Sequence, residues 1–248
     1  MSYIYEMHCH TGCTSRCGRV EPERIIELYK EKGYNGLVVT DHYSPMTFVP
    51  NWNPQKQIDF YLEGYRRMKA AAGDDFTVLL GMELRHYATG NDYLIYGVTE
   101  EFLYNAGNLM MKGVNKMREF CDENGFLLYQ AHPYRWYIVR HGLKYLHGIE
   151  VYNGKCPKKE NDKSFEWAKQ SGKLMVSGSD FHKEENLARG GIITEKPIKN
   201  NDDLVQILRK GTLSPCSSTL RITNCPGSAF FATKGASITI FVTMHLKS

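Results

Sequence analysis

The sequence predicts an α/β protein built as a (β/α) barrel around one core. Short apolar runs alternate with amphipathic helical patterns along almost the whole chain, an order typical of βα units around a parallel sheet. The runs number about seven or eight, which favours a barrel over an open doubly wound sheet, although periodicity alone leaves both open. The length of 248 residues fits one barrel as well as two smaller domains.

The first βα units are marked by Pro and Gly as well as by periodicity. A strand is predicted at 3–9, and a helix at 22–32, where apolar side chains recur at helical spacing. Pro22 suits the first turn of that helix, and Gly33 suits the position after its last turn. The run GLVVT at 36–40 is apolar and β-branched, as expected of a strand buried on both faces.

The same alternation predicts the later elements. The further strands are expected at 76–84, 93–97, 126–130, 147–152, 173–177 and 191–194. The further helices are expected at 55–72, 109–123, 159–170 and 202–210. Residues 214–248 are rich in Ser, Thr and Gly and lack helical patterning, so an irregular or short β extension is expected there. We therefore predict a barrel domain at 1–213 and a tail without an assigned role at 214–248.

Composition narrows the setting. Lys and Arg number 31 against 27 Asp and Glu, and the net charge of +4 does not call for nucleic acid or an anionic membrane as partner. Seven Cys are an odd number in a chain too long to need disulfides, which favours a reducing compartment. The start of the chain lacks a signal-peptide pattern, and no apolar run approaches the roughly 20 residues that span a bilayer. These observations predict a cytoplasmic protein that does not bind membranes.

Polar residues of one chemical type stand at the ends of the apolar runs. They are His8, His10, Asp41, His42, Glu83, His132, Asp180 and His182. The carboxyl ends of barrel strands meet on one face, so these side chains are expected in one cleft. Imidazole and carboxylate ligands suit Zn, Mn or Fe, whereas Mg or Ca sites are mostly oxygen.

The spacing supports shared ligation in two places. His8 and His10, and likewise Asp180 and His182, are two residues apart, which on a strand directs both side chains to the same side. A single His at a strand end is more often a hydrogen-bonded core or rim residue than a ligand. The metal interpretation therefore depends on the whole set of strand-end residues.

The fragments MHCHT, TDHY, GMEL, AHPYR and GSDFH occur in that order over about residues 6 to 210. This ordered set resembles the motifs of the PHP (polymerase and histidinol phosphatase) domain family. The resemblance implies a distorted (β/α)7 TIM-like barrel and two or three divalent metal ions that hydrolyse phosphate esters. It would assign His8, His10, Glu83 and Asp180 to one ion, Glu83 and His132 to a second, and His42 with His182 to a third.

Two positions are open relative to the family pattern. Cys17, where many members have His or Asp, is either a soft ligand of the third ion or a free buried thiol. Asp92 is either a substitute oxygen ligand or a cap in the loop GND. Asp41 is expected to orient a ligand His rather than to bind metal.

The resulting hypothesis is a metal-dependent hydrolase of phosphate esters that acts on a small phosphorylated metabolite or nucleotide, with histidinol phosphate as one candidate. A metal cluster makes hydroxide available near pH 7 and holds phosphate oxygens. Arg135 and Arg189 are the candidate substrate-binding residues, and a solvated surface position is the alternative for each. The aromatic residues after the second and fifth runs, Trp136 among them, either stack on a substrate ring or pack their loops.

Two other functions remain open at this stage. An exonuclease-type phosphodiesterase would use the same metals, but the sequence has no Lys and Arg runs for a backbone-tracking groove. A non-catalytic regulatory module would keep the ions as structural centres closed by protein ligands. The sequence does not indicate an oligomeric state.

Overall fold

The computed structural model describes residues 2–140, 142–211, 228–231 and 238–243. Its sheet curls into a nearly closed barrel of eight strands. The distorted TIM-like barrel predicted from the sequence is therefore confirmed. No helix of the described residues is both long enough and apolar enough to cross a membrane.

The strands and helices follow one another in the predicted order. The strands are β1 (Tyr3–Cys9), β2 (Gly36–Val39), β3 (His42–Tyr43), β4 (Thr77–Arg85), β5 (Asp92–Tyr96), β6 (Leu127–Gln130), β7 (Gly148–Asn153), β8 (Leu174–Gly178), β9 (Gly190–Thr194), β10 (Ser228–Phe231) and β11 (Ile238–Thr243). The α-helices are α1 (Pro22–Glu31), α2 (Pro54–Ala72), α3 (Glu100–Asn105), α4 (Val114–Glu123), α5 (Lys158–Ser171) and α6 (Asn201–Lys210).

The strands pair in an order that brings the beginning and the end of the barrel together. β1, β2 and β4 are parallel, as are β6, β7 and β8. β5 runs antiparallel to β4 and β6, and β9 runs antiparallel to β1, and these two strands distort the regular βα pattern. Just after β8, Phe181 exchanges backbone hydrogen bonds with β1: the amide of Phe181 donates to His8 O and that of His10 donates to Phe181 O, both at 3.0 Å.

Two helices differ from the sequence prediction, and the two-residue strand β3 was not predicted. The helix expected at 109–123 is divided into a short 3-10 helix (Leu109–Met111) and α4, because Gly113 between them is extended at φ −59° and ψ 158°. The six-residue helix α3 was not predicted, since it is too short to show a helical period. Its Thr99 side chain caps it by accepting from the amide of Phe102.

The apolar side chains form an inner and an outer core. The inner core fills the barrel with side chains such as Tyr5, Leu94 and Tyr129. The outer core lies between the sheet and the helices, and it includes Ile25 of α1 and Leu62 of α2. Because both faces of the strands are covered, the strand ends are where most polar side chains can converge.

The tail contains two strands among its described residues. β10 and β11 pair with each other, and β11 pairs antiparallel with β9. The rest of 214–248 lies outside the described residues. The division of the chain into a domain at 1–213 and a tail stays a prediction.

Candidate metal centre

The barrel brings all seven predicted metal ligands to one end. His8 lies near the end of β1 with His10 just beyond it, Glu83 lies in β4, His132 follows β6, and Asp180 and His182 follow β8. His42 begins β3, which pairs with β4 in a register that sets His42 opposite Glu83. Six of the seven side chains are buried, and that of His42 is 21% exposed.

Glu83 is at the middle of this cluster. One carboxylate oxygen, Oε1, lies 2.9 Å from His132 Nε2 and 3.3 Å from His8 Nε2. The other, Oε2, lies 2.7 Å from His42 Nδ1 and 3.4 Å from His10 Nε2. One carboxylate therefore contacts four imidazoles, as a group shared between metal ions would.

Asp180 occupies the opposite side of the cluster. Its Oδ1 lies 3.6 Å from His8 Nε2, 3.4 Å from His10 Nε2 and 3.2 Å from His182 Nδ1. The imidazole rings of His10 and His182 have their centroids 4.2 Å apart. The first and last predicted motifs thus share one site.

The potential ligand atoms fall into three groups in which all atoms lie within 4.8 Å of one another. The groups are His8, His10 and Asp180, then Glu83, Asp92 and His132, and finally His10, His42 and His182. They resemble the three ligand sets implied by the PHP resemblance, with Glu83 absent from the first, Asp92 added to the second and His10 added to the third.

Orphaned polar atoms support a metal in this position. His8 Nε2 and His10 Nε2 are buried and have no hydrogen-bond partner among the described residues. Glu83 Oε2 is also buried and makes no hydrogen bond of good geometry, although His42 Nδ1 lies 2.7 Å from it. Buried polar atoms are nearly always satisfied, and each unsatisfied one costs about 1–3 kcal/mol. Since the two imidazole nitrogens lie 3.6 and 3.4 Å from Asp180 Oδ1 and are of the type that binds Zn, Mn or Fe, the residues fit a divalent cation.

Two of the predicted ligands hold an unusual backbone conformation. His132 has φ 26° and Asp180 has φ 53°. Non-glycine residues rarely adopt positive φ, and such strain of about 1–3 kcal/mol is typical of functional sites. The strand ends are therefore shaped to direct these two side chains into the cluster.

The carboxylates of the cluster are ionised. Burial would raise the pKa of Glu83, but His42 and His8 outweigh it and hold that pKa well below its usual value. The same balance holds for Asp180, whose pKa is lowered by His8 and Arg135 against the effect of burial. Negative charge is thus available for a cation.

Their surroundings shift the pKa values of the histidines in different directions. Burial lowers the pKa of His8 and of His42, but nearby carboxylates reverse this and raise the pKa of His8 well above its usual value and that of His42 to about 10. Burial and the neighbouring His182 and His42 lower the pKa of His10 well below its usual value. Because only neutral imidazole binds a metal, binding here would be accompanied by proton release.

A buried glutamate missed in the sequence analysis supports two of the ligands. Glu150 Oε1 lies 2.8 Å from His8 Nδ1, and Glu150 Oε2 accepts from the amide of His132 at 2.8 Å. Asn153 donates from Nδ2 to Glu150 Oε2 at 3.0 Å and to Asp180 Oδ2 at 3.2 Å. A carboxylate behind a histidine fixes its orientation and tautomer. A charged residue inside the apolar run HGIEVY was the available signal.

Asp41 is linked to the cluster indirectly. Its Oδ1 accepts from Ser15 Oγ at 2.6 Å and from the amide of Thr11 at 2.8 Å. Ser15 Oγ lies 3.3 Å from His10 Nδ1 and accepts from the amide of His42. Burial, partly offset by these hydrogen bonds, raises the pKa of Asp41 to about 6. Asp41 thus reaches His10 through Ser15.

The structure answers part of the question left open at Asp92 and at Cys17. Asp92 is the buried first residue of β5 rather than a loop cap, and Arg85 donates to its Oδ1 at 2.7 Å and to its Oδ2 at 2.8 Å. Cys17 is free but exposed, so the expectation of a buried thiol is wrong. Partial desolvation would raise the pKa of Cys17, and hydrogen bonds with His182 and His42 lower it to about 6. Metal binding by Asp92 or Cys17 stays a prediction.

The two candidate substrate-binding arginines lie at different distances from the cluster. Arg135 enters it, donating to Asp180 Oδ2 and, at 3.0 Å, to Asn153 Oδ1. Arg189 lies behind the loop that follows β7, where its Nη1 donates to Gly154 O at 3.2 Å and its buried Nε has no partner in the part of the chain that the structure describes. Arg135 is therefore half-buried at the site rather than solvated at the surface.

The loop after β6 carries aromatic side chains that pack against the protein and one that projects into solvent. Tyr137 donates from its hydroxyl to Asp92 Oδ2 at 3.2 Å, and Tyr134 packs against Arg140 and Trp167. Trp136 between them is 93% exposed. Packing thus explains Tyr134 and Tyr137, and a substrate contact stays a prediction for Trp136.

Comparisons with known proteins begin with the sequence. Residues 158–213 match a family model described as PHP-associated (PHP_C). No curated protein matches the chain.

Solved structures give broader coverage. PsfC from Pseudomonas syringae PB-5123 has a TM-score of 0.61 at 17% identity over 82% of this chain and 88% of that one. A two-domain protein from Bacteroides vulgatus containing a predicted PHP-like metal-dependent phosphoesterase has a TM-score of 0.61 at 14% identity over 86% of this chain and 64% of that one. The lesion-specific endonuclease PfuEndoQ from Pyrococcus furiosus has a TM-score of 0.57 at 15% identity over 84% of this chain and 56% of that one. The chain spans less than two thirds of the length of the last two proteins. At identities this low, the similarity establishes the fold alone.

The fold and the site together define an α/β barrel protein whose strand ends present a buried cluster of histidines and carboxylates. The family match over residues 158–213 confirms the resemblance to the PHP family predicted from the sequence motifs, and the PHP-like neighbour shares the fold.

Proposed function

We propose that the chain is a metal-dependent hydrolase of phosphate esters, a phosphatase or phosphoesterase of small phosphorylated metabolites or nucleotides. The observation that carries this proposal is the pair of buried ligand atoms His8 Nε2 and His10 Nε2, which have no hydrogen-bond partner among the described residues and lie beside the carboxylate of Glu83. Together with His42, His132, Asp180 and His182 they would hold two or three divalent ions of Zn, Mn or Fe. Such ions, when bound, lower the pKa of a water molecule towards 7 and neutralise charge on phosphate oxygens.

The protein side chains supply orientation and charge. Glu150 holds His8 by its Nδ1, which leaves Nε2 directed into the cluster. Arg135 brings a guanidinium to the edge of the site, and guanidinium groups match phosphate oxygens in a bidentate manner. In hydrolysis, a water oxygen forms a bond to phosphorus while the bond to the leaving oxygen breaks, and the leaving oxygen takes up a proton.

Metal reconstitution tests the proposal. Protein stripped with a chelator and loaded with Mn, Zn or Fe should release phosphate from 4-nitrophenyl phosphate and from members of a phosphorylated-metabolite panel that includes histidinol phosphate. Asp180→Ala should abolish release, whereas Asp162→Ala, which removes an exposed carboxylate on α5, should leave it unchanged. If no metal binds, or if no loaded form hydrolyses any ester, the proposal is wrong.

A second candidate is a phosphodiesterase that cleaves nucleic acid. It is favoured by the similarity in fold to a lesion-specific endonuclease. The net charge of +4 gives it little support, because a backbone-tracking groove normally needs clustered basic residues. A labelled oligonucleotide that stays intact at low salt, with the same metals, would eliminate it. Bound metal without turnover on any ester would instead indicate a non-catalytic regulatory module.

A further inference from the structure

Besides Arg135, the positively charged side chain of Lys155 lies at the edge of the candidate metal centre. Lys155 stands in the loop after β7, with its side chain 33% exposed. Its Nζ lies 3.2 Å from His182 Nδ1 and 3.8 Å from Asp180 Oδ2. It therefore faces two predicted metal ligands from the solvent side.

The neighbours of this ammonium group do not satisfy it. His182 Nδ1 lies 2.9 Å from the carbonyl oxygen of Asp180, and since a carbonyl only accepts, this nitrogen carries the proton. It cannot also accept from Lys155. The carboxylate oxygen Asp180 Oδ2 is beyond hydrogen-bond distance of Nζ and already accepts from Arg135 and Asn153. Among the described residues, Lys155 thus presents an ammonium to the centre without an acceptor of its own.

We infer that Lys155 and Arg135 form a subsite for a terminal phosphate group, which makes phosphate monoesters rather than diesters the preferred substrates. This inference rests on the proposed function and specifies its substrate class. A monoester carries about two negative charges and three acceptor oxygens near pH 7. A diester carries one charge fewer and has one fewer free oxygen. A cation beyond those that a diester needs matches the additional charge.

The loop geometry holds the two cations on the same side of the centre. Asn153 Oδ1 accepts from Arg135 Nη2 and from the backbone amide of Lys155, both at 3.0 Å. The same side chain donates to Asp180 Oδ2. Asn153 therefore sets the spacing between Arg135, Lys155 and the carboxylate that faces the metals.

Two substrates with the same leaving group test the inference. For the metal-loaded enzyme, Lys155→Gln should lower kcat/KM for 4-nitrophenyl phosphate by about 10- to 100-fold, the loss expected for one charge-assisted hydrogen bond. It should change kcat/KM for bis(4-nitrophenyl) phosphate by less than about threefold. Lys155→Arg should keep most of the monoester activity, and Lys159→Gln, at an exposed position on α5, should match the wild type. Equal losses on the two esters, or no loss, would overturn the inference.

A binding measurement separates this inference from the proposed function. Calorimetric titration with inorganic phosphate should give about tenfold weaker binding for Lys155→Gln than for the metal-loaded wild type. Unchanged affinity, or no binding by the wild type, overturns the subsite even if hydrolysis is observed. Absence of hydrolysis by the wild type overturns the proposed function, and the phosphate titration still decides whether Lys155 binds phosphate.

A terminal phosphate occurs on small molecules and at the ends of oligonucleotides. Phosphate release from a nucleoside monophosphate alone assigns the subsite to small molecules. Release from a 5′-phosphorylated oligonucleotide as well extends it to polymer ends. Internal cleavage of the oligonucleotide without phosphate release contradicts the inference.

Discussion

Glu150→Gln is expected to weaken metal binding without unfolding the protein. The carboxylate of Glu150 meets three donors: His8 Nδ1 on Oε1, and the amide of His132 and Asn153 Nδ2 on Oε2. Glutamine has the same shape but only one carbonyl oxygen. Its amide group must therefore face either His8 or the two donors on the other side.

Both orientations are unfavourable for the centre. If the amide faces His8, Nδ1 must accept, so the His8 proton moves to Nε2, the atom that points at the cluster. If the amide faces His132 and Asn153, donors oppose donors in a buried position, at a cost of about 1–3 kcal/mol. A loss of about 1.4–2.8 kcal/mol corresponds to about 10- to 100-fold in affinity, the range typical of changes behind a metal ligand.

The assay is competition for Zn or Mn between the stripped protein and a chromophoric chelator. Glu160→Gln on α5 makes the same chemical change outside the cluster and should leave the metal affinity unchanged. Thermal unfolding in EDTA shows whether each variant is folded. A metal dissociation constant for folded Glu150→Gln within threefold of that of the wild type would refute the role assigned to Glu150.

Three further outcomes are expected. Gly178→Ala should cost about 1–3 kcal/mol of unfolding free energy and weaken metal binding, because the new methyl would lie 2.4 Å from Cβ of His8. Denaturant unfolding measures the first effect and metal titration the second. Wild-type values in both would contradict the close approach. Burial and Arg118 lower the pKa of His147 to about 4 from 6.5, so the unfolded chain binds this proton first and stability should fall as pH drops from about 6.5 to 4. The shift corresponds to at most about 3 kcal/mol, reduced to about 2 by solvent around its partner Asp122, and His147→Asn should flatten this part of the urea-unfolding profile against pH. Chelation should lower Tm in the wild type and not in Asp180→Ala, since a ligand that binds only the folded state stabilises it; equal shifts would argue against a metal centre.

The sequence was most informative about residues whose positions follow from the periodic pattern of apolar runs. Each predicted ligand directly follows or ends an apolar run, and the parallel strands bring those ends together, so one pattern predicted both the barrel and the cluster. β1 was predicted with its observed bounds, Tyr3–Cys9. The antiparallel direction of β5 was not predictable, because an apolar run has the same letters in either direction.

Residues that act behind the ligands gave weaker signals. Glu150 lies within a strand, where a single letter among apolar neighbours does not show that it faces His8. Lys155 lies in a loop without a repeating pattern, and its position depends on Asn153 and the turn after β7. Asp92 was ambiguous since its partner Arg85 is on the neighbouring strand, and that pairing depends on the register of β4 and β5.

The barrel closes where its first strand meets the segment after β8, and this has a consequence for the order of synthesis. The amide of Ser179 donates to Glu6 Oε1 between positions 173 residues apart, and Phe181 joins β1 beside it. The His8 and His10 pair emerges from the ribosome well before Asp180 and His182. A nascent chain that stops before β8 carries five of the seven predicted ligands and lacks Asp180 and His182. In the finished protein, His8, His10 and Asp180 would hold a bound cation from both ends of the barrel, and the cation would offset part of the entropic cost of closing so long a loop.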